Sequence, residues 1–339
     1  MSNSKQEIEN KYTDLIPKYT SLGKNVSEAL GIFLKEAGIS YLTISFRVKE
    51  VESFLEKIDR KNYTDPFIDI EDICGTRIIC FYQSDVERIC EIVNREFDIK
   101  ESQDKEDLLK SDQFGYRSHH LIGQIKNSWL KTPNYKNLKN LKIEFQVRTI
   151  LMHAWAEIEH KLAYKQKIHI PPHLERKLFR ISAKLEESDE QFEEIKAESI
   201  AYRNSLIKNA EVEGGHFPID TKLDLDSLQA FLDFYFSDRS GNIDTTRDLL
   251  NELLKDQISI KDIIEGLEKV KPHLKEIEIE TFPKRKITKP QDGWAQVGIV
   301  RAILDLTNDK YFEARIKEER IPDFVVVRDK EWRSKLNTV

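Results

Sequence analysis

An acid, an amide and a guanidinium group occupy alternate positions in one short stretch of the chain. Glu144, Gln146 and Arg148 lie within residues 142–149, and the side chains between them are apolar. A period of two predicts a β-strand with one apolar face and one polar face. Taken alone, the pattern fits a solvated edge strand as well as the polar floor of a reaction site.

A second carboxylate, Asp72, stands just before another predicted strand. Gly75 follows it and allows the backbone of a neighbouring segment to approach closely. Mg²⁺ takes one or two protein carboxylates and completes its octahedron with phosphate oxygens and water. Asp72 and Glu144, supplied by different strands, therefore form a candidate Mg²⁺ site for a phosphorylated substrate.

Positive charge is available on a neighbouring predicted helix. Lys49, Ser53 and Lys57 recur at i, i+4 and i+8, and Arg47 precedes them on a strand. This spacing lets three cations and a hydroxyl converge on a polyphosphate. A stripe of this kind is more often a solvated helix face, so the alternative stays open.

An aromatic ring and two imidazoles share the segment 115–120. Tyr116 is followed by an arginine and then, after Ser118, by His119 and His120. An aromatic side chain can stack on any base. A histidine such as His120 is more often a buried structural residue than a functional one, and both roles remain open.

Composition and charge narrow the class of protein. A length of 339 residues fits two domains, or one domain with a long appendage. Apolar residues make up 39% of the chain, and the formal net charge is −6. Bulk charge therefore does not indicate a nucleic-acid module. The three cysteines, all within residues 74–90, form no C-x-x-C pair, as expected for small buried side chains in a reducing compartment. Since no secretory segment or long apolar run is found, we expect a cytoplasmic protein without a membrane span.

Strands and helices must alternate to position these side chains. Apolar spacing predicts two amphipathic helices in residues 5–38, broken near 21–24, with Gly38 as the C-cap of the second. The next segment, 41–49, alternates and predicts a strand with one buried face. Further strands are predicted at 76–82, 117–125 and 141–149, and further helices at 50–61, 85–97, 150–164 and 172–208.

A linker signal, Gly214-Gly215 followed by Pro218, divides the chain. We expect an α+β domain over residues 1–210, a mixed β-sheet flanked by helices, and a mainly helical domain over 216–339. The second domain contains predicted helices at 226–236, 245–255, 260–270 and 294–307, and a basic segment bounded by prolines at 283–290.

Four segments resemble, in order and spacing, the synthetase domain of the RelA/SpoT family. They are 47–57 (RVKEVESFLEK), 72–78 (DICGTRI), 115–120 (GYRSHH) and 144–160 (EFQVRTILMHAWAEIEH). The resemblance spans about residues 25–195 and does not reach 216–339. It implies a fold similar to nucleotidyltransferases and transfer of the β,γ-pyrophosphate of ATP to the 3'-hydroxyl of GDP or GTP, which forms (p)ppGpp.

The resemblance also implies roles for individual side chains. Asp72 and Glu144 would bind Mg²⁺, and Glu144 would help to deprotonate the attacking hydroxyl. Arg47 and Arg77 would sandwich the adenine of ATP, and Lys49, Ser53 and Lys57 would hold its phosphates. On the acceptor side, Tyr116 would stack on guanine. The other acceptor-binding residues would be His120, Gln146, Arg148, His153, Lys105 and Lys110.

The chain departs from the family pattern at Asp112, where the synthetases usually carry a lysine that meets the acceptor's 5'-phosphates. Lys105 and Lys110 are nearby substitutes. His153 stands where many small synthetases carry asparagine. The family's hydrolase half needs a His-Asp metal site, and because no His-Asp dipeptide occurs, degradation of the product is not expected.

Two alternative functions remain open. The first is a toxin-like relative that pyrophosphorylates the 3' end of tRNA, because residues 126–167 hold nine Lys and Arg against three acids, a local charge of +6. The second is a catalytically dead nucleotide-binding regulator. For residues 216–339, apolar helix faces predict a regulatory role or a homo-oligomer interface.

Overall fold

The computed structural model describes residues 2–61, 63–104, 118–164, 171–212 and 214–336. It divides into two compact units, Met1–Ile195 and Lys196–Val339. Each unit has its own apolar core. Within the described ranges, no helix has the length and apolar character needed to cross a membrane.

The first unit is built on a five-stranded mixed sheet with strand order β1-β2-β5-β4-β3. The central pair, β2 and β5, is parallel, and the other neighbours are antiparallel. The α+β fold class with a mixed sheet is thereby confirmed. The strands are β1 (Tyr41–Val48), β2 (Cys74–Cys80), β3 (Asp98–Asp104), β4 (His119–Gln124) and β5 (Ile143–Thr149).

The helices at 2–36 and 83–96 cover the apolar face of this sheet. On β5, Ile143, Phe145 and Val147 are fully buried, as their alternation predicts. Cys74 and Cys80 are buried free thiols, as expected, and burial raises the pKa of each thiol to about 12. The helices are α1 (Ser2–Glu36), α2 (Val51–Arg60), α3 (Pro66–Asp69), α4 (Gln83–Glu96), α5 (Ile150–Tyr164) and α6 (Pro172–Val212).

The N-terminal region differs from the sequence prediction. The structure has the single helix α1 where two helices broken near residues 21–24 were expected. Gly23 does not end a helix; a Cβ atom there would lie 2.4 Å from the ring of Phe46 on β1. The glycine is therefore a close-packing position between helix and strand.

Strand β1 is less buried than its alternation predicts. Leu42 and Phe46 remain 54% and 38% exposed, whereas Ile44 and Val48 pack against the core. The reason is position, because β1 is an edge strand that is hydrogen-bonded to β2 alone. The other edge strand, β3, was not predicted, since its sequence DIKESQD lacks an apolar alternation.

The second unit is helical, as expected for this part of the chain. Its central helix, α11, buries Ile299, Val300, Ile303 and Leu304 completely and packs against the neighbouring helices. Gly214 and Gly215 both have positive φ angles, which explains glycine at the predicted linker. The helices are α7 (Leu225–Phe236), α8 (Ile243–Asp256), α9 (Ile260–Val270), α10 (Leu274–Thr281), α11 (Gln296–Thr307), α12 (Asp309–Lys317) and α13 (Asp323–Leu336); α10, α12 and α13 were not predicted.

Candidate active site

Strand register brings polar side chains from four strands into rows on one face of the sheet. Arg47 on β1 pairs with Gly75 on β2, and Gly75 pairs with Glu144 on β5. A Cβ atom on Gly75 would lie 3.7 Å from a carboxylate oxygen of Glu144, so a larger side chain would crowd this carboxylate. The next row across the sheet consists of Ser45, Arg77, Gln146 and His120.

Backbone contacts place Lys49 beside Asp72. The amide of Lys49 donates to the carbonyl oxygen of Ile73 at 2.8 Å, and its own carbonyl accepts from the buried hydroxyl of Tyr12 at 2.5 Å. These two bonds fix the turn between β1 and α2. Helix α2 begins directly after this turn and carries Lys57, which contacts Asp72 just before β2.

Asp72 is neutralised by two lysines. Lys57 Nζ contacts Oδ1 at 2.8 Å and Lys49 Nζ contacts Oδ2 at 3.1 Å. Burial opposes ionisation of this carboxyl group, but the hydrogen bonds and charges of the lysines outweigh burial and lower its pKa. Both lysine side chains therefore reach Asp72, although Lys49 precedes α2 and only Lys57 lies on that helix.

Glu144 lies in a chain of short hydrogen bonds. Its Oε1 lies 2.7 Å from Nδ1 of His120, and its Oε2 accepts from Nε2 of Gln146 at 2.8 Å. On the far side of the ring, His120 Nε2 lies 2.7 Å from the hydroxyl of Ser118. Burial opposes ionisation of Glu144, yet the bonds from His120 and Gln146 lower its pKa.

Two clefts open on this polar face and share Asp72 and Glu144 in their walls. The larger has a volume of about 550 Å³ and the smaller about 220 Å³. A ligand in either cleft can therefore reach both carboxylates. The larger cleft is also lined by Arg47, Lys49, Arg77, Gln146, Glu157 and His160, and the smaller by Lys57, Tyr63, Glu71 and His120.

Helix α5 carries His153, which the sequence analysis assigned, and also Glu157 and His160, which it did not. Glu157 binds Arg77 at 2.9 Å, and His153 Nδ1 lies 3.9 Å from the same carboxylate. Burial and the charge of Arg77 lower the pKa of His153. The spacing of His153, Glu157 and His160 on one helix face is the sequence signal that could have indicated this group.

The candidate residues do not all reach the clefts. Ser53, Arg148 and His153 line neither of the two, and Arg148 is buried with its Nε atom unpartnered among the described residues. Burial, followed by the charge of Arg77, lowers the pKa of Arg148. Tyr116, Lys105 and Lys110 lie outside the described residues.

Two carboxylates, Asp72 and Glu144, are the acidic groups common to both clefts. Among the described residues, no group of three or more His, Cys, Asp or Glu side chains is placed to hold a metal ion. Such a site leaves most coordination positions to substrate and water, which is the usual arrangement for Mg²⁺ with phosphates.

Comparison with known proteins identifies relatives of this chain. A model of the region found in RelA/SpoT proteins matches residues 46–169. The chain is 34% identical over 158 residues to GTP pyrophosphokinase YjbM of Bacillus subtilis (strain 168), covering 46% of this chain and 72% of that relative. It is 33% identical over 132 residues to GTP pyrophosphokinase YwaC of the same strain, covering 38% and 60% respectively.

Solved structures similar to this chain include two of one synthetase. Small alarmone synthetase 1 from Bacillus subtilis is 30% identical with a TM-score of 0.48, covering 56% of this chain and 97% of that one. Its structure bound to its product pppGpp is 29% identical with a TM-score of 0.47, covering 56% and 98%. The match to YjbM over most of its length decides the assignment: this chain belongs to the RelA/SpoT family.

Proposed function

We propose that this protein is a GTP pyrophosphokinase that transfers the β,γ-pyrophosphate of ATP to the 3'-hydroxyl of GDP or GTP and so forms (p)ppGpp. One observation carries the proposal: two clefts meet at a single pair of carboxylates, Asp72 and Glu144. Transfer between two nucleotides requires such a junction, because donor and acceptor must be held in contact. The relatives YjbM and YwaC are both named GTP pyrophosphokinase.

The larger cleft is the donor side in this proposal. Arg47 and Arg77 lie in adjacent rows of neighbouring strands and can hold an adenine ring between planar guanidinium groups. Lys49, in the wall of this cleft, and Lys57, in the wall of the smaller one, bind the phosphates where the two clefts meet. Both ammonium groups contact Asp72 in the structure and exchange part of that contact for phosphate oxygens when ATP binds. Ser53, on the helix between them, adds a hydroxyl donor.

The carboxylates fit Mg²⁺ by their chemistry and their charge. Burial and the negative charge of Asp72 both oppose ionisation of Glu144, so the two carboxylates repel each other across the site. A divalent cation relieves this repulsion. Asp72 and Glu144 would hold Mg²⁺, which when bound neutralises charge on the transferred phosphates.

Glu144 accepts the proton of the attacking hydroxyl. The 3'-oxygen of the acceptor forms a bond to the β-phosphorus of ATP, the bond from that phosphorus to the α,β-bridging oxygen breaks, and AMP leaves. His120 and Gln146 hold the carboxylate ionised and oriented during this step. Lys49 and Lys57 neutralise the negative charge that develops on the transferred group.

The acceptor side is formed by β4 and β5. His120 and Gln146 contact Glu144 directly, so they lie where the acceptor hydroxyl must arrive. The family resemblance adds a stacking role for Tyr116 and contacts from Arg148, His153, Lys105 and Lys110.

Transfer of label from γ-labelled ATP tests the proposal. With Mg²⁺ present, GDP, GTP, ATP and deacylated tRNA are offered in parallel, and label is expected on GDP or GTP. Label on tRNA alone would contradict the guanosine acceptor while leaving pyrophosphate transfer intact. The basic region 126–167 is the observation that favours the tRNA outcome.

Absence of transfer to any acceptor would favour the catalytically dead regulator. The presence of Asp72 and Glu144 in the walls of both clefts disfavours that interpretation, since a binding module has little use for two carboxylates there. Replacing Asp112 by lysine tests the acceptor independently: if this side chain faces the 5'-phosphates, KM falls more for GTP than for GMP.

A further inference from the structure

The second unit contains a cleft of about 340 Å³ that lies far in sequence from the catalytic motifs. The basic segment 283–290 forms one wall, and the start of α10 forms another. Three lysines, Lys271, Lys275 and Lys289, line it. The proline-bounded basic segment thus lines a cleft separate from the two clefts of the candidate active site.

The cleft has one acidic side chain in its wall, Glu278, and this charge is already compensated. Arg239 donates to both carboxylate oxygens of Glu278 at 2.6 and 3.1 Å, and the amide of Trp294 donates to it at 2.6 Å. The three lysine charges therefore dominate the cleft.

The cationic wall is held in place before any ligand arrives. Arg239 also donates to the carbonyl oxygens of Pro290 and Trp294, at 3.3 and 3.0 Å. Asp292 accepts from the amides of Thr288 and Lys289, both at 2.9 Å. These bonds fix the basic segment against α10, so little ordering is needed for binding.

Lys271 and Lys275 are poorly compensated compared with other cations of this unit. The structure gives Lys275 no ion pair among the described residues, and Lys271 reaches only Glu268, at 3.7 Å and on the exposed surface. By contrast, Arg301 forms a two-point ion pair with Glu252. Like charges gathered in one cleft repel each other, and a bound anion removes that cost.

An apolar surface lies beside the charges. Leu274, Ile287 and Pro290 line the same cleft, and its volume falls in the range of small-molecule sites. We propose that this cleft binds a phosphate-bearing small molecule of nucleotide size. Its phosphates contact Lys271, Lys275 and Lys289, and its organic part packs on the apolar residues.

Photolabelling of the full-length chain with 8-azido-ATP tests the site, with labelled peptides located by mass spectrometry. We expect label both in the first unit and in peptides covering 271–290. In the double variant K275E/K289E, label in 271–290 should fall at least tenfold, while first-unit label persists as an internal control. The matched variant K261E changes a lysine of similar exposure on α9 and should label as the wild type does.

Two results would overturn the proposal: label confined to the first unit, or label in 271–290 that the double variant leaves unchanged. Because first-unit labelling reports the ATP site of the proposed enzyme separately, loss of one signal does not imply loss of the other.

Calorimetric titration defines the ligand class. Wild-type protein should bind two ATP molecules and K275E/K289E one. Inorganic triphosphate should bind the second site at least tenfold more weakly than ATP, because it lacks an organic part. Equal affinity for triphosphate, or stronger competition by a single-stranded oligonucleotide than by ATP, would contradict a site of nucleotide size.

Discussion

Asp72 and Glu144 are held in different ways, and the difference bears on their roles. Asp72 is paired with the ammonium groups of Lys49 and Lys57, which stand at the ends of long side chains. Glu144 is fixed by His120 and Gln146, which are part of the sheet. The first arrangement suits a carboxylate that exchanges partners when ATP binds, and the second suits a base that must keep its orientation.

Replacing Glu144 by Gln, or Asp72 by Asn, should lower kcat of pyrophosphate transfer on the order of 10²-fold or more, because each change removes charge compensation in the transition state. Labelled transfer measures the effect, and circular dichroism checks that the fold persists. Asp59→Asn is the control, since Asp59 is an exposed partner of Lys5 away from the clefts. Near-normal activity of Glu144→Gln would contradict the assignment of Glu144 as the base.

At the scale of elements, the contact of α1 with β1 supports the strand that carries Arg47. Gly23→Ala should lower the unfolding free energy by about 1–3 kcal/mol, because the new Cβ would lie 2.4 Å from Phe46. Thermal unfolding measures it. Gly31→Ala is the control: its Cβ would meet Tyr41 at an ordinary 3.4 Å, and helix propensity alone should stabilise it by up to about 1 kcal/mol. In a chain that also carries Phe46→Ala, Gly23→Ala should no longer lower the unfolding free energy. An undiminished loss there would contradict the steric explanation.

In the second unit, α11, α12 and α13 enclose a pair of buried acids. Asp305 pairs with Arg315, and Asp329 pairs with Arg328, while one oxygen of each carboxylate has no partner among the described residues. Burial raises the pKa of Asp305 to about 7, and the charge of Asp329 adds to the effect. Burial also raises the pKa of Asp329.

The stability of α11 should therefore fall as pH rises towards 7. Between 3.8 and about 7 the folded chain keeps a proton on Asp305 that the unfolded chain releases. The stabilisation that this proton provides is complete below pH 3.8 and is lost as the pH rises through about 7. Amide exchange in α11, corrected for intrinsic rates, measures it. Asp305→Asn should remove the pH dependence of amide protection. The control Asp309→Asn, which changes the exposed partner of Arg333, should leave it unchanged. Protection that rises with pH would contradict the predicted direction.

For the whole molecule, we propose that residues 216–339 regulate or oligomerise the enzyme and carry no catalytic residue. Every described residue that lines the two clefts lies in Met1–Ile195. A chain shortened to end at Lys208 should keep Mg²⁺-dependent transfer but change in its mass state or its response to effectors. Activity assays with light scattering decide this. If mass state and every effector response match the full chain, the proposed role is wrong.

The sequence by itself determined the family, the mixed sheet and the pair of carboxylates. Period-two alternation located β5 within two residues of its bounds, because side chains of a strand point alternately to its two faces. The order of four motifs predicted the RelA/SpoT family, and the comparisons confirm it. Both kinds of signal are local, so they can be read without knowing which strands are neighbours.

Only the tertiary structure decided how distant segments meet. The pairing of β1 with β2 sets Lys49 beside Asp72, and the parallel pairing of β2 with β5 sets Gly75 beside Glu144. The contact of Arg77 with Glu157 on α5 also depends on packing. The unbroken α1 and the polar edge strand β3 depend on partners remote in sequence. Neither could therefore be predicted from local periodicity or propensity. Register and packing are non-local, which is why Glu144 and Gln146 were predicted to lie on a polar face but the two clefts were not.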